Sequence, residues 1–240
     1  MSILKKFEKS NLFRTLKLKI RRAFGKELRL EIIKPPKVTA FGDWGVLTGK
    51  LNNSSIVYSL GVGDDIKLDK HLIRLCGCKV YAFDPTVKSP NAEDGQTDYL
   101  KKFKFYQWAV MGEDGTCKLF RRINSQGRFS GMYTFDSESA DKGESIEVQA
   151  LTISSIMDRL KHSKIDLLKI DIEGAEYQVI YKMLDDKIYP EQLLIEFHHR
   201  FEGLNINDSK RLVERLKNCG YYPFYVSVTG REVSFQCLNP

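Results

Sequence analysis

The sequence predicts an α/β domain built on a mostly parallel seven-stranded sheet, with helices on both faces and an antiparallel hairpin at the C-terminus. Three observations carry that expectation. Short apolar runs alternate with helical patterns between residues 55 and 220, the order produced by βαβ units with right-handed crossovers. Several of those runs end on a glycine or an acid, where open α/β sheets place their ligands. With 240 residues, 42% hydrophobic and 29% charged, the chain is long enough to bury one large core.

The N-terminus departs from that pattern. Residues 1–29 hold ten Lys and Arg against Glu8 and Glu27, whereas the remainder holds 28 basic and 29 acidic residues. The net charge of +7 therefore belongs to a tail, and the neutral body argues against specific nucleic-acid binding. Leu12, Leu16, Ile20, Phe24 and Leu28 recur every four residues among these cations, the pattern of a basic amphipathic helix. Such a helix suits an anionic membrane surface or a protein partner; the alternative is that its stripe packs on its own domain. Pro35-Pro36 ends any helix, so residues 1–34 read as a helical segment and 40–240 as the folded domain.

Within the domain, Ile56-Val57-Tyr58-Ser59-Leu60 reads as a strand meeting Gly61-Val62-Gly63. A helix over Ile66–Leu75 then leads into the strand Val80-Tyr81-Ala82-Phe83. Phe103–Val110 forms a third strand, closed by the turn at 112–115. Residues 116–150 read as irregular hairpins with little sheet-core character. A helix at 153–161, a buried strand at 165–170, a helix at 174–185 and a strand at 192–197 follow. A helix at 208–218 and two strands at 222–228 and 232–238, joined by Thr229-Gly230, complete the sheet.

Five scattered cysteines, two of them separated only by Gly77, suit neither a disulfide framework nor a zinc site, and reduced thiols point to the cytoplasm. No signal-peptide core and no run of about 18 apolar residues occurs. The expectation is a soluble cytoplasmic protein that its tail can bring to the inner face of a membrane.

Three segments carry chemistry. Leu60-Gly61-Val62-Gly63-Asp64-Asp65 lies between a strand and a helix, where glycines let a ligand approach the backbone. Asp84 ends the next strand 23 residues after Gly61, placed to accept hydrogen bonds from ribose hydroxyls. A dinucleotide would set its pyrophosphate at this helix N-terminus, where Asp64 and Asp65 would repel it; S-adenosylmethionine, cationic and without phosphate, suits them better. Lys169-Ile170-Asp171-Ile172-Glu173-Gly174-Ala175-Glu176 ends the buried strand, with Asp171 facing the crevice if the isoleucines face the core. Glu173 and Glu176 alternatively charge the first turn of the next helix. Glu196-Phe197-His198-His199-Arg200 ends the neighbouring strand. His198 there is a candidate base or, with Asp171 and Glu196, a candidate metal ligand, although one adjacent histidine pair does not make a ligand set and no metal is assigned.

These segments, with Ala82-Phe83-Asp84-Pro85-Thr86 and Ile195-Glu196-Phe197-His198, resemble the FkbM family of methyltransferases over about residues 40–240. The resemblance implies a Rossmann-like class I methyltransferase fold, S-adenosylmethionine as donor and a hydroxyl acceptor on a sugar, glycan or natural product. It places Gln107-Trp108-Ala109-Val110 around the adenine. Ser59 stands where the commoner pattern has an acid, and Asp65 where it has a third glycine. The donor-binding set is then Ser59, Gly61, Gly63, Asp64, Asp65, Asp84, Pro85, Trp108 and Ala109. Asp171 is the first candidate for orienting or deprotonating the acceptor and His198 the second, with Gly127–Tyr133 as a lid or acceptor contact. Two rivals stand beside this reading: an NAD(P)-dependent oxidoreductase on a similar fold, and a non-catalytic nucleotide-binding module that docks through its basic tail.

Overall fold

The computed structural model describes residues 11–86, 99–123, 129–134, 140–201 and 203–238. Its main sheet has seven strands in the order β12-β13-β11-β10-β3-β4-β5. Here β3 is Ile56–Leu60, β4 Lys79–Phe83, β5 Phe103–Tyr106, β10 Leu167–Ile170, β11 Gln192–Glu196, β12 Tyr221–Val226 and β13 Glu232–Cys237. The five strands from β11 to β5 are mutually parallel, and β13 runs antiparallel to both β11 and β12. The expected hairpin is present.

Strands covered on both faces must be apolar nearly throughout, and β10 (Leu-Leu-Lys-Ile) is buried at every position. Side-chain alternation divides the core in two. Val57, Val80, Leu167 and Leu194 pack with Leu72 and Ile73 of α2 (Lys67–Cys76). Tyr58, Phe83, Leu168 and Ile195 pack beneath α3 (Ile153–Leu160), α4 (Glu176–Asp185) and α5 (Ile206–Asn218). A small antiparallel hairpin, β1 (Thr39–Phe41) with β2 (Trp44–Val46), joins the α2 side.

Chain order reverses between β3 and β10: β4 and β5 extend the sheet one way, β10 and β11 the other. The C-terminal ends of β3 and β10 therefore border a crevice, the place where such sheets bind ligands.

Two sequence expectations need correction. The strand expected over Phe103–Val110 breaks at Gln107-Trp108, and only β5 belongs to the main sheet. Residues 109–110 form β6, which pairs with β9 (Ala140–Leu151). The region expected to be irregular instead builds a second, four-stranded sheet in the order β6-β9-β7-β8, with β7 at Gly115–Ile123 and β8 at Phe129–Thr134. It joins the main core through Val110 of β6 and Leu151 of β9.

Helix α1 (Asn11–Ala23) lies on the domain. Leu18 is buried, and a side chain at Gly230 would meet it at 2.4 Å. Beyond the helix, the Arg29 guanidinium returns to the carbonyl oxygen of Arg22 at 2.6 and 3.0 Å, a cation on the negative end of the helix. Ile33 N–H then bonds the Pro223 carbonyl at 2.9 Å. Among the described residues, no helix is long and apolar enough to cross a membrane.

Candidate functional site

The loop after β3 is shaped by two glycines with different tasks. Gly61 has φ +68°, and a Cβ there would stand 1.7 Å from the Asp171 carbonyl oxygen, so this position admits no side chain. Gly63 has φ +50° and nothing within 4 Å of where its Cβ would be; it leaves open space over the backbone for a ligand. Gly63 N–H donates to Asp84 Oδ2 at 2.9 Å, while Thr86 donates to Asp84 Oδ1 through its N–H at 2.8 Å and its hydroxyl at 2.6 Å. Asp84 thereby ties the glycine loop to the end of β4. A carboxylate has about four acceptor sites, so room for a ligand hydroxyl remains.

A first cavity of about 390 Å³ opens at this point, lined by Gly61–Asp65, Asp84–Thr86, Ala109–Met111, Leu119, Tyr133, Asp171–Glu173 and Ala175. Seven of the nine residues expected to bind a donor line it. The other two do not. Ser59 is buried under the loop beside Asp69, because strand alternation turns it into the α2 layer. Burial raises the Asp69 carboxyl above its ordinary range, against the opposing influence of Lys169 and Ser59. Neither Ser59 Oγ nor Asp69 Oδ1 has a hydrogen-bond partner of ordinary geometry, so this contact is a close approach and not a formed bond. Trp108 turns away to stack on Tyr106 at 4.6 Å between centroids, with the Arg159 guanidinium 5.6 Å from its ring. Its neighbours Ala109, Val110 and Met111 supply the wall expected of it. Thr86, Leu119 and Met111 were not legible as site residues, since the second sheet brings the latter two across. Of Gly127–Tyr133, residues 127 and 128 lie outside the described residues, whereas Tyr133 on β8 lines the cavity.

A second cavity of about 630 Å³ adjoins the first, sharing Gly61, Val62, Asp65 and Asp171 with it. The β1–β2 hairpin supplies Phe41, Asp43 and Trp44, and the end of the sheet supplies Lys169, Glu196, Arg231 and Glu232. Lys169 Nζ donates to the Gly61 carbonyl and to Asp171 Oδ2, both at 3.2 Å. Arg231 Nη1 lies 2.8 Å from Glu196 Oε1. Nothing in the periodicity pointed to Trp44, Arg231 or Glu232, which belong to distant segments.

Behind this cavity, Glu176 is fully buried. Its Oε1 accepts from the backbone N–H of His198 at 2.9 Å and pairs with His198 Nδ1 at 3.1 Å, while its Oε2 accepts from Gly174 N–H at 2.9 Å. Glu176 does open its helix, one of the two roles the sequence left open, and in addition fixes the His198 ring. Nε2 then points toward Glu196 Oε1 at 3.8 Å and Asp171 Oδ1 at 4.0 Å. Burial works against charge on His198, but the hydrogen bond and charge of Glu176, with Glu196 and Glu173, raise its pKa to about 9. Burial and the Asp171 charge push Glu196 up to about 8. Asp171 is also desolvated, yet Lys169 and His198 hold it below the usual carboxylate range. Ligand atoms of Asp171, Glu196 and His198 lie within 4.8 Å of one another, close enough to hold a cation; Lys169 and Arg231 already bring positive charge to the two carboxylates.

A glycine loop tied to a strand-end acid, a slot beside it and a polar cavity meeting that slot define a class of protein: an α/β domain with two adjoining cavities at its topological switch point. The comparisons make the class specific. Residues 46–223 match the model of the methyltransferase FkbM domain, and the chain belongs to that family. It is 26% identical over 166 residues to the probable methyltransferase-like protein 24 of Homo sapiens, covering 68% of this chain and 38% of that protein. The Rattus norvegicus counterpart is 26% identical over 161 residues, 66% of this chain and 37% of its own length. The chain thus spans under two fifths of these relatives. A solved structure, the methyltransferase FkbM from Methylobacillus flagellatus KT, aligns over 77% of this chain and 44% of its own at 12% identity and a TM-score of 0.44.

Proposed function

We propose that the chain is an S-adenosylmethionine-dependent O-methyltransferase with its donor in the first cavity and its acceptor, a hydroxyl of a sugar, glycan or natural product, in the second. The observation that carries this reading is the junction of the two cavities at Gly61, Val62, Asp65 and Asp171. A donor and an acceptor lying one in each cavity would meet there.

The first cavity fits the donor. Its volume of about 390 Å³ falls within the range of about 300–1,000 Å³ typical of small-molecule sites. Ala109, Val110, Met111 and Leu119 offer an apolar wall for a flat ring, Asp84 accepts from hydroxyls, and Asp64 and Asp65 favour positive charge over a pyrophosphate. When bound, the donor supplies a methyl group already activated on a sulfonium. The protein then has to hold the acceptor oxygen at the junction and accept one proton. Positioning of this kind contributes much of the acceleration in bimolecular transfers. Asp171 stands at the junction, held by Lys169, and is the residue placed to orient the hydroxyl and take its proton. His198, turned toward Asp171 by Glu176, is one step further from the junction.

Calorimetric titration of the purified chain with S-adenosylhomocysteine and with NADH tests the reading. Micromolar binding of the former, weakened about 10- to 100-fold in Asp84→Ala, is the expected result. Preference for NADH, or binding indifferent to Asp84→Ala, overturns it in favour of an oxidoreductase or a different donor pocket.

A further inference from the structure

We infer that helix α1 seats this protein on an anionic membrane surface. The inference does not depend on the methyltransferase reading. It rests on which face of the helix the domain uses. Residues two apart on an α-helix are separated by about 200°, so the buried Leu18 and the neighbouring Leu16 and Ile20 point in nearly opposite directions. The domain takes the Leu18 face, with Arg21 reaching Glu27 at 3.2 Å. Three members of the stripe legible in the sequence face outward instead, Leu16 at 55%, Ile20 at 50% and Phe24 at 75% exposure, while Leu28, beyond the helix, is buried in the core.

Three large apolar side chains on one exposed face call for an apolar neighbour, and the charges around them say which. Lys17, Lys19 and Lys26 are exposed beside the stripe, and residues 9–26 contain no Asp or Glu. A second copy of the chain would bring these cations against their own kind, which costs energy. A nucleic acid would satisfy the cations and leave the stripe in water. An anionic bilayer offers an acyl boundary for Leu16, Ile20 and Phe24 and headgroups for the lysines, the two-part match that in-plane amphipathic helices use. On its inward side the helix lines a basic cleft with Phe13, Arg14, Lys17, Leu18 and Arg21, which shares Arg231 with the second cavity.

The test is co-sedimentation of the full chain with phosphatidylcholine vesicles and with vesicles containing about a third phosphatidylglycerol. Binding confined to the anionic vesicles is expected, weakening about tenfold as the salt rises from about 0.1 to 0.5 M and the Debye length shrinks from about 10 to 4 Å. Lys17→Gln and Lys19→Gln each lower the partition coefficient about fivefold, and Leu16→Glu/Ile20→Glu/Phe24→Glu lowers it at least thirtyfold. All three residues of the triple variant are exposed, so its melting temperature stays within about 2 °C of the parent. Equal binding to neutral vesicles, absence of binding to either, or undiminished binding by the folded triple variant each overturns the inference.

Discussion

Two histidines side by side after β11 serve opposite ends of the molecule. His198 lies buried behind the second cavity: Glu176 holds its Nδ1, while its Nε2 points to Asp171 and Glu196 across 3.8–4.0 Å. His199 faces the other way and is closed on both sides. Its Nδ1 meets Ser209 Oγ at 3.0 Å, Ser209 in turn meets the Tyr177 hydroxyl at 2.8 Å, and its Nε2 lies 2.7 Å from Glu27 Oε1. The last two atoms make a close polar contact, although neither has a hydrogen-bond partner of ordinary geometry. Arg200 and Arg21 complete the setting of Glu27. One histidine is thus aimed at two carboxylates that line the second cavity, and its neighbour fastens the N-terminal segment to the domain. The chain turns here, with Phe201 N–H on the His198 carbonyl at 2.9 Å, and the turn separates the two roles.

The largest effect that sharpens this contrast belongs to the cavity side. Asp171→Asn should lower methyl transfer about 10²- to 10⁴-fold, while affinity for S-adenosylhomocysteine stays within about threefold and the fold is retained. The measurement is single-turnover transfer to a hydroxyl acceptor alongside calorimetry. Comparable losses of transfer and donor affinity would show that Asp171, which borders both cavities, acts mainly on the donor.

On the docking side the expected effect is on stability. Burial alone would raise the Glu27 pKa, but the hydrogen bonds and charges of His199 and Arg200 outweigh it and bring the value to about 2, from 4.5. Because the folded-state pKa is depressed, the stabilisation from Glu27 is complete above about pH 4.5 and is lost as pH falls toward 2. Denaturant midpoints measured between pH 6 and 2 should follow that course in the parent and flatten over this window in Glu27→Gln. At pH 7 the variant should lose about 2–3 kcal/mol, below the range for a fully buried pair because Arg200 is partly exposed. An unchanged midpoint at pH 7 would mean that the segment is held by Leu18 and Leu28 alone.

The smallest effect is expected at Trp108. Since its ring stacks on Tyr106 outside the donor cavity, Trp108→Phe should change S-adenosylhomocysteine affinity by less than about twofold. A tenfold loss would return this residue to the donor site, where the family resemblance placed it.

The sequence by itself determined the parallel sheet, the glycine loop, Asp84 and the acids after β10. All of these are local patterns: apolar runs of strand length, glycines at a turn needing positive φ, and polar residues where a buried strand ends. It also located the basic helix and its stripe. Only the tertiary structure decided the rest. Which way the stripe faces depends on Leu18 meeting Gly230, more than 200 residues away in sequence. The second cavity needs the β1–β2 hairpin and Arg231 brought together by the sheet order. Glu176 orients His198 across 22 residues, and Trp108 leaves the pocket because the chain crosses there to a second sheet. Periodicity reports the environment of a segment along its own axis, whereas these contacts arise between segments, and their partners are chosen by packing.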